Sequence, residues 1–80
     1  MNHDEVVATL TTVFRQRLNS PDLVLSPELT AADVPGWDSL AHINLILAVE
    51  KAFSIRIATR DVRGMKNVGD FISLIEKKLA

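Results

Sequence analysis

Apolar positions recur along this chain at helical rather than strand spacing. In residues 4–18, DEVVATLTTVFRQRL, they fall at Val6, Val7, Leu10, Val13, Phe14 and Leu18. This is the i, i+3, i+4, i+7 rhythm of an amphipathic helix. Asp4 and Glu5 lie in its first turn and Arg15 and Arg17 in its last, as the helix dipole favours. Asn19-Ser20-Pro21 ends it. Residues 39–53, SLAHINLILAVEKAF, hold no glycine or proline, and Asp38 is placed to cap their first turn. Their apolar positions make two stripes: Leu45, Ile46, Val49 and Phe53 form one, and Leu40, Ile43 and Leu47 another, offset from it. A helix with so wide an apolar surface is either deeply buried or has a second partner.

Residues 59–64, TRDVRG, predict a short helix with Thr59 as cap and Gly64 as stop. Residues 68–79 predict a last amphipathic helix through Val68, Phe71, Ile72, Ile75 and Leu79. Asn67 caps it, with Asp70 where a capping-box acid belongs and Lys77 and Lys78 at the far end. Residues 19–37 are a long connection with Pro21, Pro27, Pro35 and Gly36 and no sustained period. Connections of this length are usually functional or packed down. Leu23, Val24, Leu25 and Leu29 are expected to anchor it, and Ser26-Pro27-Glu28 can open one helical turn. Residues 54–57, SIRI, alternate like a strand but have no second run to pair with, so they read as an extended link. The sum is an all-α fold: a small four-helix bundle of three longer helices and one short one, with a long first loop, as one domain over residues 1–80.

Size narrows the function. A chain of 80 residues buries only about 60% of its unfolded surface and cannot wall off a deep, water-free active site. That weighs against an enzyme acting alone. Hydrophobic residues at 48% and charged ones at 24% are ordinary for a globular protein and argue against disorder. With no cysteine there is no disulfide or thiolate metal site, and His3 and His42 are too far apart in sequence to suggest zinc. No apolar run has the length of about 18 residues that a membrane span needs. The N-terminus, MNHDEVVATL, is acidic before it is apolar, the wrong order for a secretory signal. The chain is therefore read as a freestanding, monomeric, cytoplasmic protein, a piece of a longer chain being the alternative. Its net charge of −1 argues against nucleic-acid binding.

The chemistry concentrates in Gly36-Trp37-Asp38-Ser39-Leu40-Ala41-His42. Ser39, His42 and Asp38 are the residue types of a hydrolytic triad. A triad, however, needs its base touching serine on one side and acid on the other, and Asp38 is adjacent in the chain and better used as a cap. No glycine loop offers an oxyanion hole. A second reading makes Ser39 an ordinary polar residue of a first helical turn. A third makes it a point of attachment.

The third reading comes from a resemblance. Gly36-Trp37-Asp38-Ser39-Leu40, a helix ending in Glu50-Lys51-Ala52-Phe53, the link Ile55-Arg56-Ile57, a short third helix and a last helix from Val68 to Leu79 resemble the acyl carrier protein family over nearly the whole chain. The resemblance implies a non-enzymatic carrier. Ser39, flanked by Asp38 and Leu40, would bear 4′-phosphopantetheine through a phosphodiester, added from coenzyme A by a phosphopantetheinyl transferase. The prosthetic thiol would hold an acyl group as a thioester. Partners would be that transferase, an acyl- or aminoacyl-loading ligase and acyl-processing enzymes, meeting a surface of Trp37, Leu40, Ile43 and Leu47. Trp37 is also expected to pack the loop end onto the bundle. The residues suit this chemistry: a serine in a first turn can face solvent, and a helix N-terminus favours phosphate.

The chain also departs from the family pattern. Fatty-acid carriers of the family are strongly acidic along the second helix. Here that helix carries His42, Asn44, Glu50 and Lys51, and residues 54–66 set Arg56, Arg60, Arg63 and Lys66 against Asp61 alone. The departure points to a dedicated carrier in a secondary pathway: polyketide-type, lipid or glycan modification, or acyl or aminoacyl transfer. Two alternatives stand beside it. One is a freestanding aminoacyl or peptidyl carrier, although glycines usually precede the serine there. The other is an unmodified helical interaction module using Leu40, Ile43 and Leu47.

Overall fold

Helix starts in this chain are set by side chains that reach back to free backbone N–H groups. The structure, a computed structural model, describes residues 1–80. It holds α1 (His3–Arg17), α2 (Ser39–Phe53), α3 (Thr59–Arg63) and α4 (Val68–Leu79), with a 3₁₀ turn at Ala31–Asp33. The architecture is the all-α bundle that the sequence predicts. α2 and α4 span the predicted residues. Asp38 Oδ1 accepts from Ala41 N–H at 2.8 Å, and Asn67 Oδ1 accepts from Asp70 N–H at 2.8 Å while Asp70 Oδ2 accepts from Asn67 N–H at 3.3 Å.

α1 lies one residue earlier at each end than the apolar rhythm suggests. The cause is a capping box: Asn2 Oδ1 accepts from Glu5 N–H at 2.8 Å and Glu5 Oε1 from Asn2 N–H at 3.0 Å. Thr59 is not the cap of α3 but its first helical residue. Ala58 takes the capping position, and its N–H donates to Asp61 Oδ2 at 3.0 Å. That bond, together with Lys78 at 3.3 Å, holds the Asp61 carboxyl below the usual carboxylate range.

Seventeen buried side chains, all apolar, form one cluster. α1 packs against both α2 and α4 and places Phe14 at the centre. The Phe14 ring meets Trp37 edge-on with centroids 5.2 Å apart and Phe71 edge-on at 5.4 Å, a geometry that suits the ring quadrupoles. Leu79, expected on the inner face of α4, is 38% exposed, because the last turn runs past the end of the core.

The long loop is tied down by its backbone. Arg15 Nε donates to Leu23 O at 2.7 Å. Val68 N–H donates to Leu29 O at 2.9 Å and Gly69 N–H to Pro27 O at 3.0 Å. A Cβ at Gly69 would lie 3.1 Å from that same carbonyl, so glycine permits the approach. Leu23, Leu25 and Leu29 are half-buried against the core, as expected, but Val24 is 74% exposed. The segment is extended there, and alternate side chains must point apart. Ser26-Pro27-Glu28 makes a single turn, closed by Leu29 N–H to Ser26 O at 3.1 Å. The SIRI stretch is not extended throughout: Ser54 is the left-handed C-cap of α2 with φ of +54°, and residues 55–57 then run on without a strand partner, Ile57 N–H donating to Glu50 Oε2 at 2.9 Å. No helix is long and apolar enough to cross a membrane.

Candidate functional site at the start of the second helix

Gly36 turns the chain into α2 with φ of +87°, a conformation costly for any residue with a Cβ. Trp37 follows and is only 4% exposed. Asp38 spends its carboxylate on the cap, and Ser39 and Leu40 stand exposed in the first turn. His42 follows one turn later, half-buried, stacked on the indole at 6.0 Å and edge-on to Phe71 at 5.6 Å.

Trp37 Nε1–H donates to His42 Nδ1 at 3.2 Å. Indole nitrogen is only ever a donor, so Nδ1 carries no proton and the ring is neutral with its proton on Nε2. Burial pushes the His42 pKa below its ordinary value. This arrangement answers the triad reading. Asp38 is bonded to Ala41 N–H and His42 Nδ1 to Trp37, so the acid does not orient the base and no relay to Ser39 is assembled. The interior offers no alternative, since none of its buried side chains is polar.

Ser39 instead borders an open groove of about 520 Å³, lined with it by Trp37, Asp38, His42, Ile43, Met65 and Lys66. The free N–H groups of the α2 start and Lys66 bring positive charge to this groove, and the Asp38 carboxylate lines it beside them. Leu40, Ile43 and Leu47 run down the helix from Ser39 and are 69%, 55% and 58% exposed. Of the expected partner surface, Trp37 is corrected. Its ring packs the loop end onto the bundle against Phe14 and offers almost no surface to another molecule.

The Trp37–His42 pair, the burial of Met65 and the place of Lys66 in the groove were not foreseen. A signal for the first was present. Trp37 and His42 occupy the positions before the cap and four residues into the helix, where a hydrophobic staple forms. Met65 and Lys66 follow α3 and reach the site only through tertiary packing.

No family model matches the chain. Curated relatives do. An acyl carrier protein of Desulforapulum autotrophicum is 36% identical over 74 residues, covering 91% of this chain and 96% of its own. An acyl carrier protein of Thermotoga maritima is 27% identical over 78 residues, covering 98% of this chain and 96% of its own. Among solved structures, the solution structure of a holo acyl carrier protein from Geobacter metallireducens matches with a TM-score of 0.88 and 40% identity. The match covers 92% of this chain and 85% of that one.

Proposed function

The chain belongs to the acyl carrier protein family, and from that premise we propose that it carries its cargo through Ser39. Members of the family are carriers rather than enzymes, and they work by meeting a transferase and acyl-processing enzymes. The prosthetic group, 4′-phosphopantetheine, supplies a flexible arm whose thiol holds an acyl chain as a thioester. The residues at the start of α2 fit such a group. Ser39 is an exposed hydroxyl at the edge of an open groove. The unbonded N–H groups of the first turn and Lys66 favour a phosphodiester there. Asp38 fixes the helix start, and with it the direction in which Ser39 points. The Nδ1 of His42 is taken up by the Trp37 indole N–H and is not free to act as a base.

One observation carries the reading. The only serine of the Asp-Ser-Leu motif is solvent-facing, with no catalytic constellation around it. Attachment by a separate transferase needs an accessible hydroxyl rather than catalytic groups beside it on this chain. The weakly charged α2 and the basic residues Arg56, Arg60, Arg63 and Lys66 support a dedicated carrier in a secondary pathway, loaded by its own acyl or aminoacyl ligase.

The test is intact-protein mass after incubation with coenzyme A and a broad-specificity phosphopantetheinyl transferase, with Ser39→Ala alongside. The wild type is expected to gain one phosphopantetheine and the variant none. No gain in a folded wild type, beside a control carrier that is modified, would favour the unmodified interaction module.

A further inference from the structure

His42 has two ring nitrogens, and the protein itself uses only one of them. Nδ1 accepts from the Trp37 indole N–H at 3.2 Å. A neutral imidazole whose Nδ1 accepts carries its proton on Nε2, which is then a donor. Nε2 has no partner within the chain and is not buried. Of the grooves on the molecule, His42 lines the one that Ser39 borders. Burial holds its pKa below the ordinary value, so this neutral, Nε2-protonated ring is the form present at neutral pH.

The direction of the ring follows from helix geometry. Aromatic side chains on a helix lean toward its N-terminus, over the residues three and four positions back. For His42 these are Ser39 and Asp38, and residues three apart have Cβ atoms only about 5–6 Å from each other. The bond to Trp37, five positions back, shows that the ring does lean that way. Asp38 does not take the free donor, because its carboxylate caps the helix at Ala41 N–H and makes no bond to the ring. Lys66 is the one cation of the groove and is in no ion pair. On the far side the ring meets α4 only through the uncharged Phe71.

We propose that His42 Nε2–H donates to the phosphodiester of the arm borne by Ser39, and that Trp37, by occupying Nδ1, is the positioning residue that keeps this donor presented. Lys66 sets its positive charge in the same groove. The proposal rests on the Ser39 reading, because the arm is the ligand. A phosphodiester only accepts hydrogen bonds and keeps its single negative charge across neutral and mildly acidic pH. A fixed N–H therefore serves it, where an unprotonated ring nitrogen would repel it. The contact biases the root of the arm toward the side of Ser39 that Met65 and Lys66 line.

Histidine titration by long-range ¹H–¹⁵N NMR tests the contact without any partner enzyme. It compares the unmodified chain with the same chain loaded from coenzyme A by a broad-specificity transferase, intact mass first showing that the arm is attached. An anion beside an imidazole favours its charged form, so the His42 pKa should rise by about half a unit or more on loading. His3, which pairs with Glu76 at 3.1 Å and lines a separate groove, should not move. Asp38 and Lys66, the other charged groups of the groove, keep their charges between about pH 5 and about pH 8. Across that range the ³¹P resonance of the loaded chain should follow the His42 titration, and in His42→Gln it should cease to. In the unmodified chain near the upper end of the range the Nε2–H tautomer should dominate, and Trp37→Phe should mix the two tautomers. A loaded chain whose His42 pKa equals that of the unmodified chain, or an equal rise at His3, would overturn the proposal. So would an equal rise when inorganic phosphate is added to the unmodified chain, which would make the groove a general anion site. An unmixed tautomer in Trp37→Phe would overturn the part given to Trp37. A missing mass gain is a different failure: it overturns the Ser39 reading, and the contact with it.

Discussion

The two apolar rows of α2 look alike in composition and differ in everything else. Leu45 and Val49 are 0% exposed, with Ile46, Ala48 and Phe53 buried beside them. Leu40, Ile43 and Leu47, about half a turn round the same helix, are all more than half exposed. The inner row is continuous with the ring cluster of Phe14 and Phe71. The outer row is continuous with Ser39 and with the groove that Lys66 lines. Hydropathy marks surface that gains from being covered. Which part is covered within the chain is decided by where α1 and α4 can reach, and the rest stays exposed.

The largest effect expected separates the rows directly. Leu45→Ala should cost about 2–5 kcal/mol in urea unfolding, the range for a fully buried leucine. Leu47→Ala should stay within about 0.5 kcal/mol, as an exposed substitution does. A Leu47→Ala cost near that of Leu45→Ala would mean the outer row is covered inside this molecule.

The next effect lies where the two rows begin. Asp38→Ala removes the bond to Ala41 N–H and should cost about 1 kcal/mol of stability. It should also slow modification of Ser39, because the first turn that aims the hydroxyl frays. Stopped-time mass spectrometry on the wild type and the variant checks this. Modification at the wild-type rate would show that the cap serves folding alone.

The rows and the caps explain what could be read in the sequence. α2 and α4 were legible to the residue because Asp38, Asn67 and Asp70 are local devices that declare themselves in the chain. The start of α1 was readable in principle, since Asn2 and Glu5 have the capping-box spacing, but the apolar rhythm was followed instead. The start of α3 was misplaced because a threonine stood next to the true cap position, where Ala58 offers only backbone. The 3₁₀ turn at Ala31–Asp33 went unseen although Thr30 and Asp33 bond to each other at 3.1 Å. The exposure of Ser39 and the split of α2 into two rows followed from pattern. The packing of Trp37 onto the bundle was expected as well, but the convergence of Met65 and Lys66 on Ser39 was not. That depends on how α3 and the loop fold back, which no local spacing encodes.

The smallest effect concerns the joint between the two regions, His42. Its ring is half-buried and accepts at Nδ1 from Trp37. Protonation would turn that acceptor into a donor facing a donor. Burial already lowers its pKa, so the unfolded chain takes up a proton near the ordinary value of about 6.5 while the folded chain does so only at lower pH. In that window the unfolded state binds more protons, so stability falls as pH falls. The contribution is whole above the unfolded value and is spent below the folded one. The urea midpoint should therefore drop between about pH 7.5 and about pH 5.5, before most carboxylates titrate. In a His3→Gln background, which removes the other histidine, His42→Gln should flatten that slope. A slope unchanged by His42→Gln would place the pH response elsewhere. A flattened slope would set the pH response at this joint, one turn from Ser39 and outside both apolar rows.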